Sequence, residues 1–567
     1  MRNKIIIISF FSFFIFLRII ILDNDLPPRI ITNILPFDEL YYTIPAFNLY
    51  HYNKLSSPKL LSFKIKEDAT IGNALQNVIT YFTLLIFGNN YYGLRMSSVI
   101  ISLFSILLLF LIFRKIDKDK IKLSLFLLFY FGIEFSFLIA SRSNAPVSFR
   151  MFSLLLIVYI SFYIKDMKKL DFILGFLSTL GIFFVYFHNI FIWFASLFAI
   201  IIYSYLNYRK EIYKNIFLFF LGTVVAVLLF NVFIQSAYHI NIIDYFDALQ
   251  VYTRRLSFSS HSNSFLFTSL NNIFNFFITN IFKLNISLFF IYMLSFPIFL
   301  YTVWKRKSFI NIFILLLFLM LFGQSIFENS YYQRRLIIML PIIGMIIYIS
   351  VININTFIKN KDLMNIYKKY LYLVFLFSIY LFYTSYISKT STSFTLSIGS
   401  NFIILNIFVF LIVVIFAYLY LFSKINIKRN ILIYFYIIFL IPNFYLSLRY
   451  IIPRFNYKEA MIYFSSELNN EIIVGQTSFL FRLYNSSKPI LNWYNYKEID
   501  NYAYKKNFRN AFKEKNIKYT IDFYKRRRVY YLENLIDKSL KFKLKKSYLI
   551  DKATIVVLLE KINVEKN

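Results

Sequence analysis

The chain contains no cysteine, which excludes disulfides, thiolate metal sites and cysteine nucleophiles. Charge is scarce: Asp, Glu, Lys and Arg make up 16% of the 567 residues, where soluble domains carry about a quarter. Glycine and proline number 11 each, so few residues are available to break helices. No Walker loop, zinc-ligand spacing or dinucleotide fingerprint appears, which argues against an ATP-driven pump. What fills the chain instead is apolar, with 59% hydrophobic residues, 72 Phe and 47 Tyr.

The formal charge of +34 does not point to nucleic acid. The basic residues punctuate apolar stretches and form no single patch, so in a membrane protein they carry topology information. A hydrocarbon core needs about 20 mostly apolar helical residues to cross it, and about thirteen such spans can be read. They begin with Ile5–Leu22, Tyr91–Phe113, Ile121–Ala140, Val147–Ile164, Phe172–Phe187, Ile190–Tyr205 and Ile216–Ile234. They continue with Leu284–Val303, Phe309–Phe327, Leu336–Ile352, Tyr370–Ile387, Phe402–Phe422 and Ile431–Leu448.

Alternate short loops hold Arg114/Lys115/Lys118/Lys120/Lys122, Lys165/Lys168/Lys169, Arg209/Lys210/Lys214, Lys305/Arg306/Lys307, Lys359/Lys361/Lys368/Lys369 and Lys424/Lys428/Arg429. All fall on the side of Arg2 and Lys4, as the positive-inside rule requires for a cytoplasmic amino end. An odd number of spans then puts the carboxyl end on the opposite face. Asp23-Asn24-Asp25 follows the first span with no small-x-small cleavage site, so that span reads as an anchor, not a signal peptide. The expected location is a membrane that the chain crosses many times, with the amino end cytoplasmic.

The fold class expected is a polytopic α-helical membrane protein over residues 1–448, with outer loops 23–90 and 235–283, and a small soluble α/β domain over 449–567. In the first outer loop, Asp38–Tyr50 and Asn77–Phe87 are amphipathic enough to lie along the interface. In the second, Tyr238–Ser260 mixes Tyr, Phe and Asp with Arg254 and Arg255, as a mobile loop over a site would. Past Tyr457 the pattern predicts a helix at Lys458–Leu468 and another at Asn501–Lys515. Short strands are expected at Glu471–Val474, Lys488–Leu491, Lys518–Ile521, Ser547–Ile550 and Thr554–Leu559. The basic run Lys525–Arg528 reads as a solvated or headgroup-facing surface.

Candidate chemistry gathers on the outer side. In Leu35-Pro-Phe-Asp-Glu-Leu-Tyr-Tyr42, Asp38 and Glu39 open an amphipathic helix. Helix-start chemistry accounts for them by complementing the dipole; a carboxylate here can also act as general base on an acceptor hydroxyl. Arg95, Arg142, Arg150, Arg334 and Arg335 stand where the charge rule does not want them. Each alone reads as a snorkelling side chain; together they form a positive rim suited to a lipid phosphate, whose oxygens guanidinium forks match. His188, between the fifth and sixth spans, reads as a hydrogen-bonding residue or as one able to move a proton.

These fragments, in this order, resemble the membrane glycosyltransferases of the GT-C class, in particular the protein-mannosyltransferase and aminoarabinose-transferase relatives of bacteria. Phe16-Leu-Arg-Ile-Ile20 is similar to the end of their first span and Pro36-Phe-Asp-Glu39 to their acidic motif in the first outer loop. Tyr81–Arg95 resembles their entry to the second span, Phe149-Arg-Met-Phe-Ser-Leu-Leu155 the start of the fourth, and Tyr186-Phe-His-Asn-Ile-Phe191 a Tyr-x-His-aromatic turn. Gln333-Arg-Arg-Leu-Ile-Ile-Met-Leu-Pro341 is similar to an Arg-aromatic-apolar-Pro segment. Two places depart from the pattern: Gly72-Asn-Ala-Leu-Gln76 replaces a His/Lys-Pro-Pro stretch, and Leu336 follows Arg335 where an aromatic is usual.

The resemblance implies a GT-C fold and a polyprenyl-phosphate sugar donor. It implies Asp38 as base with Glu39 secondary, and Arg95, Arg150, Arg334, Arg335 and His188 around the donor phosphate. The acceptor would be a protein, glycolipid or polysaccharide hydroxyl. No cofactor is called for, no metal-ligand set is visible, and a divalent ion is left open. Two rivals from other classes are a lipid-linked saccharide flippase, which needs polar groups at mid-membrane, and a non-catalytic assembly subunit. Collection of Asp38 and the arginines around one outer cavity separates the enzyme from both.

Overall fold

The computed structural model describes residues 2–20, 22, 43–53, 73–238 (apart from 120, 145 and 165), 242–246 (apart from 244), 286–327 and 337–382, with 457–465, 468, 472–474, 488–490, 519–525, 542–549 and 554–561 toward the carboxyl end. The helices, in chain order, are α1 (Arg2–Ile19), α2 (Ile44–Tyr52), α3 (Ala74–Phe87), α4 (Tyr91–Ile116), α5 (Ile121–Ile133), α6 (Phe135–Ser141) and α7 (Pro146–Tyr163). Then come α8 (Met167–Leu180), α9 (Ile190–Asn207), α10 (Ile212–Tyr238), α11 (Ile286–Arg306), α12 (Phe309–Phe327), α13 (Leu340–Ile358), α14 (Lys361–Phe382) and α15 (Tyr457–Ser465). Among the described residues, six helices are long and apolar enough to cross a membrane, in the regions of α4, α7, α9, α10, α11 and α13. Shorter apolar helices lie in α1, α3, α5 and α12. The expected spans Phe402–Phe422 and Ile431–Leu448 lie outside the described residues.

Parts of the surface are apolar where a soluble protein would be polar. On α3 the buried face is polar, with Gln76, Asn77, Thr80 and Thr83, while Phe82, Leu85, Ile86 and Phe87 are exposed. On α10, Phe217, Leu221, Val224, Leu228 and Val232 form an exposed apolar stripe at helical spacing, with Phe219, Ala226, Phe230 and Ile234 turned inward. An apolar stripe of that length suits hydrocarbon, not water. Asn77 also pins α2 and α3 to each other: its Oδ1 accepts from the Ala46 N–H at 3.2 Å.

Two expected spans are interrupted. The run Ile121–Ala140 breaks at Glu134, whose carboxylate accepts from the Phe137 N–H at 2.7 Å and restarts the chain as α6. The run Phe172–Phe187 ends early: α8 loosens into a π-turn at Gly181–Val185, then a 3₁₀ turn at Phe187–Asn189. A third irregularity is repaired locally. Pro297 inside α11 has no N–H to offer the carbonyl of Met293; the Tyr370 hydroxyl of α14 donates to that carbonyl at 3.0 Å.

One apolar core unites α1, α4, α5, α7, α8, α9, α11, α12 and α13. Tyr348 of α13 stacks on Phe113 with centroids 4.5 Å apart, and its hydroxyl meets Ser124 at 2.8 Å, tying three helices. The approach of α8 and α10 is set by glycine. A Cβ on Gly175 would collide with the backbone of Phe219, and one on Gly222 with the backbone of Phe172.

Near the carboxyl end, strands β1 (Ile472–Val474), β2 (Lys488–Ile490), β3 (Tyr519–Lys525), β4 (Phe542–Leu549) and β5 (Thr554–Lys561) form a mixed sheet in the order β2-β1-β3-β5-β4. The β2–β1 and β1–β3 pairs are parallel; β3–β5 and β5–β4 are antiparallel. The expected pairing of the last two strands is present, both longer than expected, with an irregularity between Leu544 and Lys546. Lys545, at that irregularity, donates to the Tyr519 hydroxyl at 3.1 Å and lies 3.8 Å from Glu560. α15 is joined to β4 through Tyr548, which donates to Glu459 at 3.0 Å. The expected helix Asn501–Lys515 and the residues Arg526–Arg528 lie outside the described residues.

Backbone cannot yield as a flexible side chain can, so Gly175→Leu is expected to prevent recovery of a monodisperse protein in detergent. Gly323→Ala, where no atom lies within 4 Å of the added carbon, is expected to change the unfolding midpoint little. Size-exclusion profiles and thermal unfolding of the two variants check the contrast.

Candidate active site

The end of α1 creates the first demand. The last carbonyls of a helix have no intrahelical donor, and its negative dipole end favours cations. Arg142, just past α6, donates through Nη1 to the carbonyls of Leu17 at 2.9 Å and Ile20 at 2.7 Å. Arg95, in the second turn of α4, donates to the carbonyl of Leu22 at 2.8 Å, with its guanidinium 4.6 Å from the Tyr91 ring centroid. Deeper in the bundle, Arg18 donates to Ser102 at 3.2 Å and to the Gly132 carbonyl at 3.1 Å, beside the break at Glu134. Its guanidinium also lies 5.1 Å from the Phe137 ring centroid. Ser102 is eleven residues along α4 from Tyr91, or about 16 Å at helical rise.

Arg150 forms a second station. From the first turns of α7 it donates to Asn189 Oδ1 at 3.2 Å and Gln324 Oε1 at 3.1 Å, and faces Tyr186 at 5.4 Å. The π-turn makes this possible. The Gly181 carbonyl accepts both from the Tyr186 N–H that closes the π-turn, at 3.0 Å, and from Asn189 Nδ2, at 3.0 Å; the second bond leaves Asn189 Oδ1 facing Arg150. His188 is buried in the same turn, its ring 4.8 Å from that of Tyr186. An apolar seam of Leu75, Ile79, Ile101, Phe149, Val185 and Tyr186 joins this station to α3 and α4.

The two stations are fastened by an amide network. Asn144 donates through Nδ2 to the carbonyl of Leu94 at 2.7 Å and to Thr80 at 2.9 Å; Gln76 donates to the Asn144 carbonyl at 2.9 Å. α3, the entry to α4 and the turn between α6 and α7 are thereby held as one unit. None of its members was singled out in the sequence as functional. A cluster of Gln, Asn and Thr spaced three and four apart on α3 was the available signal.

The arginines do not snorkel. Arg95 and Arg150 are 2% exposed and Arg142 4%, so the reading of these three as side chains reaching for water is overturned; Arg18 is 0% exposed. Arg95, Arg142, Arg150 and His188 are brought to the same end of the bundle. Arg18, quoted only as part of a motif, lies deeper, near the buried Glu134, and Gln324 meets Arg150. Asp38, Glu39, Arg334 and Arg335 lie outside the described residues. Among the described residues no three His, Asp or Glu side chains converge as a metal site would need.

No family model matches the sequence, and no curated protein matches it. Solved structures do match its fold. Crystal structures of ArnT from Cupriavidus metallidurans cover 97–98% of this chain and of their own: the apo state at 10% identity with a TM-score of 0.55, the form bound to undecaprenyl phosphate at 9% and 0.56. The archaeal oligosaccharyltransferase AglB from Archaeoglobus fulgidus, in complex with an inhibitory peptide and a dolichol-phosphate, matches over 91% of this chain and 69% of its own, at 11% identity and a TM-score of 0.52. The expected GT-C resemblance is thus present at the level of fold, over nearly the whole chain.

Removing Arg142 would leave the Leu17 and Ile20 carbonyls short of a donor, at about 1–3 kcal/mol for each buried group left unsatisfied. Arg142→Met is therefore expected to lower the unfolding midpoint clearly, and Arg142→Lys to recover part of the loss; thermal unfolding in detergent measures both.

Proposed function

We propose that this chain is a membrane glycosyltransferase that moves a sugar from a polyprenyl-phosphate donor to an acceptor hydroxyl on the non-cytoplasmic face. The observation that carries the reading is the collection of three buried guanidinium groups, Arg95, Arg142 and Arg150, at one end of the bundle, with Arg18 deeper between the helices. Among the described residues, Glu134 is the one buried carboxylate on the same elements. Cations in such surroundings favour an anion, and a phosphate head entering from the lipid suits guanidinium geometry. The AglB and ArnT structures named above hold dolichol-phosphate and undecaprenyl phosphate, which supports the same class of donor here.

In the reaction, the acceptor oxygen attacks the anomeric carbon of the sugar, and Asp38 takes the hydroxyl proton. The bond from that carbon to the phosphate oxygen breaks, and polyprenyl phosphate leaves with the electron pair. The anomeric configuration inverts. Arg95, Arg150, Arg334 and Arg335 stabilise the charge that develops on the leaving phosphate, the type of placement that is usually the largest catalytic contribution. His188 lies beside that phosphate as a hydrogen-bonding partner. Glu39 is secondary to Asp38.

In sequence Asp38 stands five residues before Thr43, the N-cap of α2, and Arg335 two residues before Ile337–Met339, which is buried in the core beside α7. We assign residues 449–567 to a soluble domain on the same face as the arginines, with the amino end cytoplasmic and the chain in a bacterial inner membrane.

Asp38→Asn is expected to retain the fold and lose about a hundredfold or more in rate, the scale of general-base catalysis. The assay is release of labelled sugar from a polyprenyl-phosphate donor by purified protein in nanodiscs. Unchanged turnover in that variant would remove Asp38 from the role of base.

A further inference from the structure

The opposite end of the bundle holds a buried carboxylate that the proposed transfer does not use. Asp171, in the second turn of α8, is 0% exposed, and neither of its oxygens has a hydrogen-bond partner. The glycine-lined seam locates its neighbour. α8 and α10 run in parallel, with Gly175 against Phe219 and Thr179 donating to Thr223 at 3.2 Å, each pair forty-four residues apart. One turn earlier on both helices, the same offset sets Asp171 level with Asn215.

Asn215 is 2% exposed, and its Oδ1 also has no partner. Its Nδ2 is committed to Ser204 of α9, at 2.9 Å. On that register three helices contribute acceptor oxygens to one buried level of the seam: both carboxylate oxygens of Asp171, the carboxamide oxygen of Asn215, and the Ser204 hydroxyl. Unpaired acceptors are costly to bury, and an ionised carboxylate far more so. A positive ligand removes that cost.

We propose that Asp171, Asn215 and Ser204 form a buried site for one small monovalent cation, a proton or an alkali metal ion. The set carries a single negative charge, which one monovalent cation neutralises; Ca²⁺ sites use six to eight oxygens and commonly several carboxylates. The close contact of Gly175 with the Phe219 backbone walls the site one turn above, so it holds a bare ion and no organic cation. Occupancy clamps the ends of α8, α9 and α10 away from the transfer site.

The test uses the full chain in nanodiscs at constant ionic strength, with choline chloride replaced by LiCl, NaCl or KCl. Asp171→Asn supplies its own amide donor to Asn215 and so retains the fold. If the ligand is an alkali ion, one of the salts raises the wild-type unfolding midpoint by several degrees, as linkage requires of a ligand bound only by the folded state. The rise is absent in Asp171→Asn and in Asn215→Leu. If the ligand is a proton, the midpoint ignores the salts. The infrared difference between wild type and Asp171→Asn then contains a protonated carboxyl stretch, which moves in Asn215→Leu. The salt response of the wild type and the stretch in aspartate-labelled protein stand even without the Asp171 variant. Absence of both the salt response and the protonated stretch overturns the proposal.

Discussion

The carbonyl end of α1, gripped by guanidinium groups from two other segments, is the interaction on which this end of the molecule depends. In hydrocarbon a helix end finds no water to satisfy its carbonyls. Arg142 and Arg95 supply the donors at Leu17, Ile20 and Leu22, and their charge complements the dipole. Arg18 extends the grip inward to Ser102 and Gly132. The same bonds that end α1 commit positive charge to a dry region, and the chain leaving α1 leads directly into the segment that carries Asp38. Structure and proposed chemistry therefore share their residues. Any account of a phosphate bound here must use guanidinium edges not already given to these carbonyls.

Breaks in regular helix do the positioning. Glu134 ends α5 and starts α6, leaving the Gly132 carbonyl to accept from Arg18. The π-turn at Gly181–Val185 aims Asn189 at Arg150. Irregular backbone is tolerated at membrane depth where protein surrounds it, and π-turns are frequent at functional sites. Around these breaks the Asn144 and Gln76 network holds α3 against the bundle, so that a helix with a polar buried face and an apolar exposed one stays in register with the arginines.

Much of this was legible in the sequence for a simple reason: length and hydropathy are counted residue by residue, and crossing a membrane demands both. The apolar runs, the basic loops and the terminal strands at Lys488, Tyr519 and Thr554 follow from such counting. The breaks do not. An apolar run continues through Glu134 with one carboxylate to mark it, and through Gly181 with nothing but a glycine. Arg18 was invisible as a functional candidate because an arginine near a helix end satisfies the snorkelling reading equally well; its deep burial depends on which helices pack around it. Asp171 was unremarked because it stands next to lysines that belong to a basic loop, and only the α8–α10 seam brings it level with Asn215.

The central claim is that the buried arginines serve a lipid phosphate and not the fold alone. Equilibrium binding of polyprenyl phosphate and of the uncharged polyprenol to the purified protein tests it most directly, with wild type and Arg150→Met compared. The account predicts that wild type prefers the phosphate by about tenfold or more, the scale of one charge-assisted hydrogen bond. It also predicts that Arg150→Met, still folded, loses most of that preference. Equal affinity of the wild type for the two lipids would contradict it.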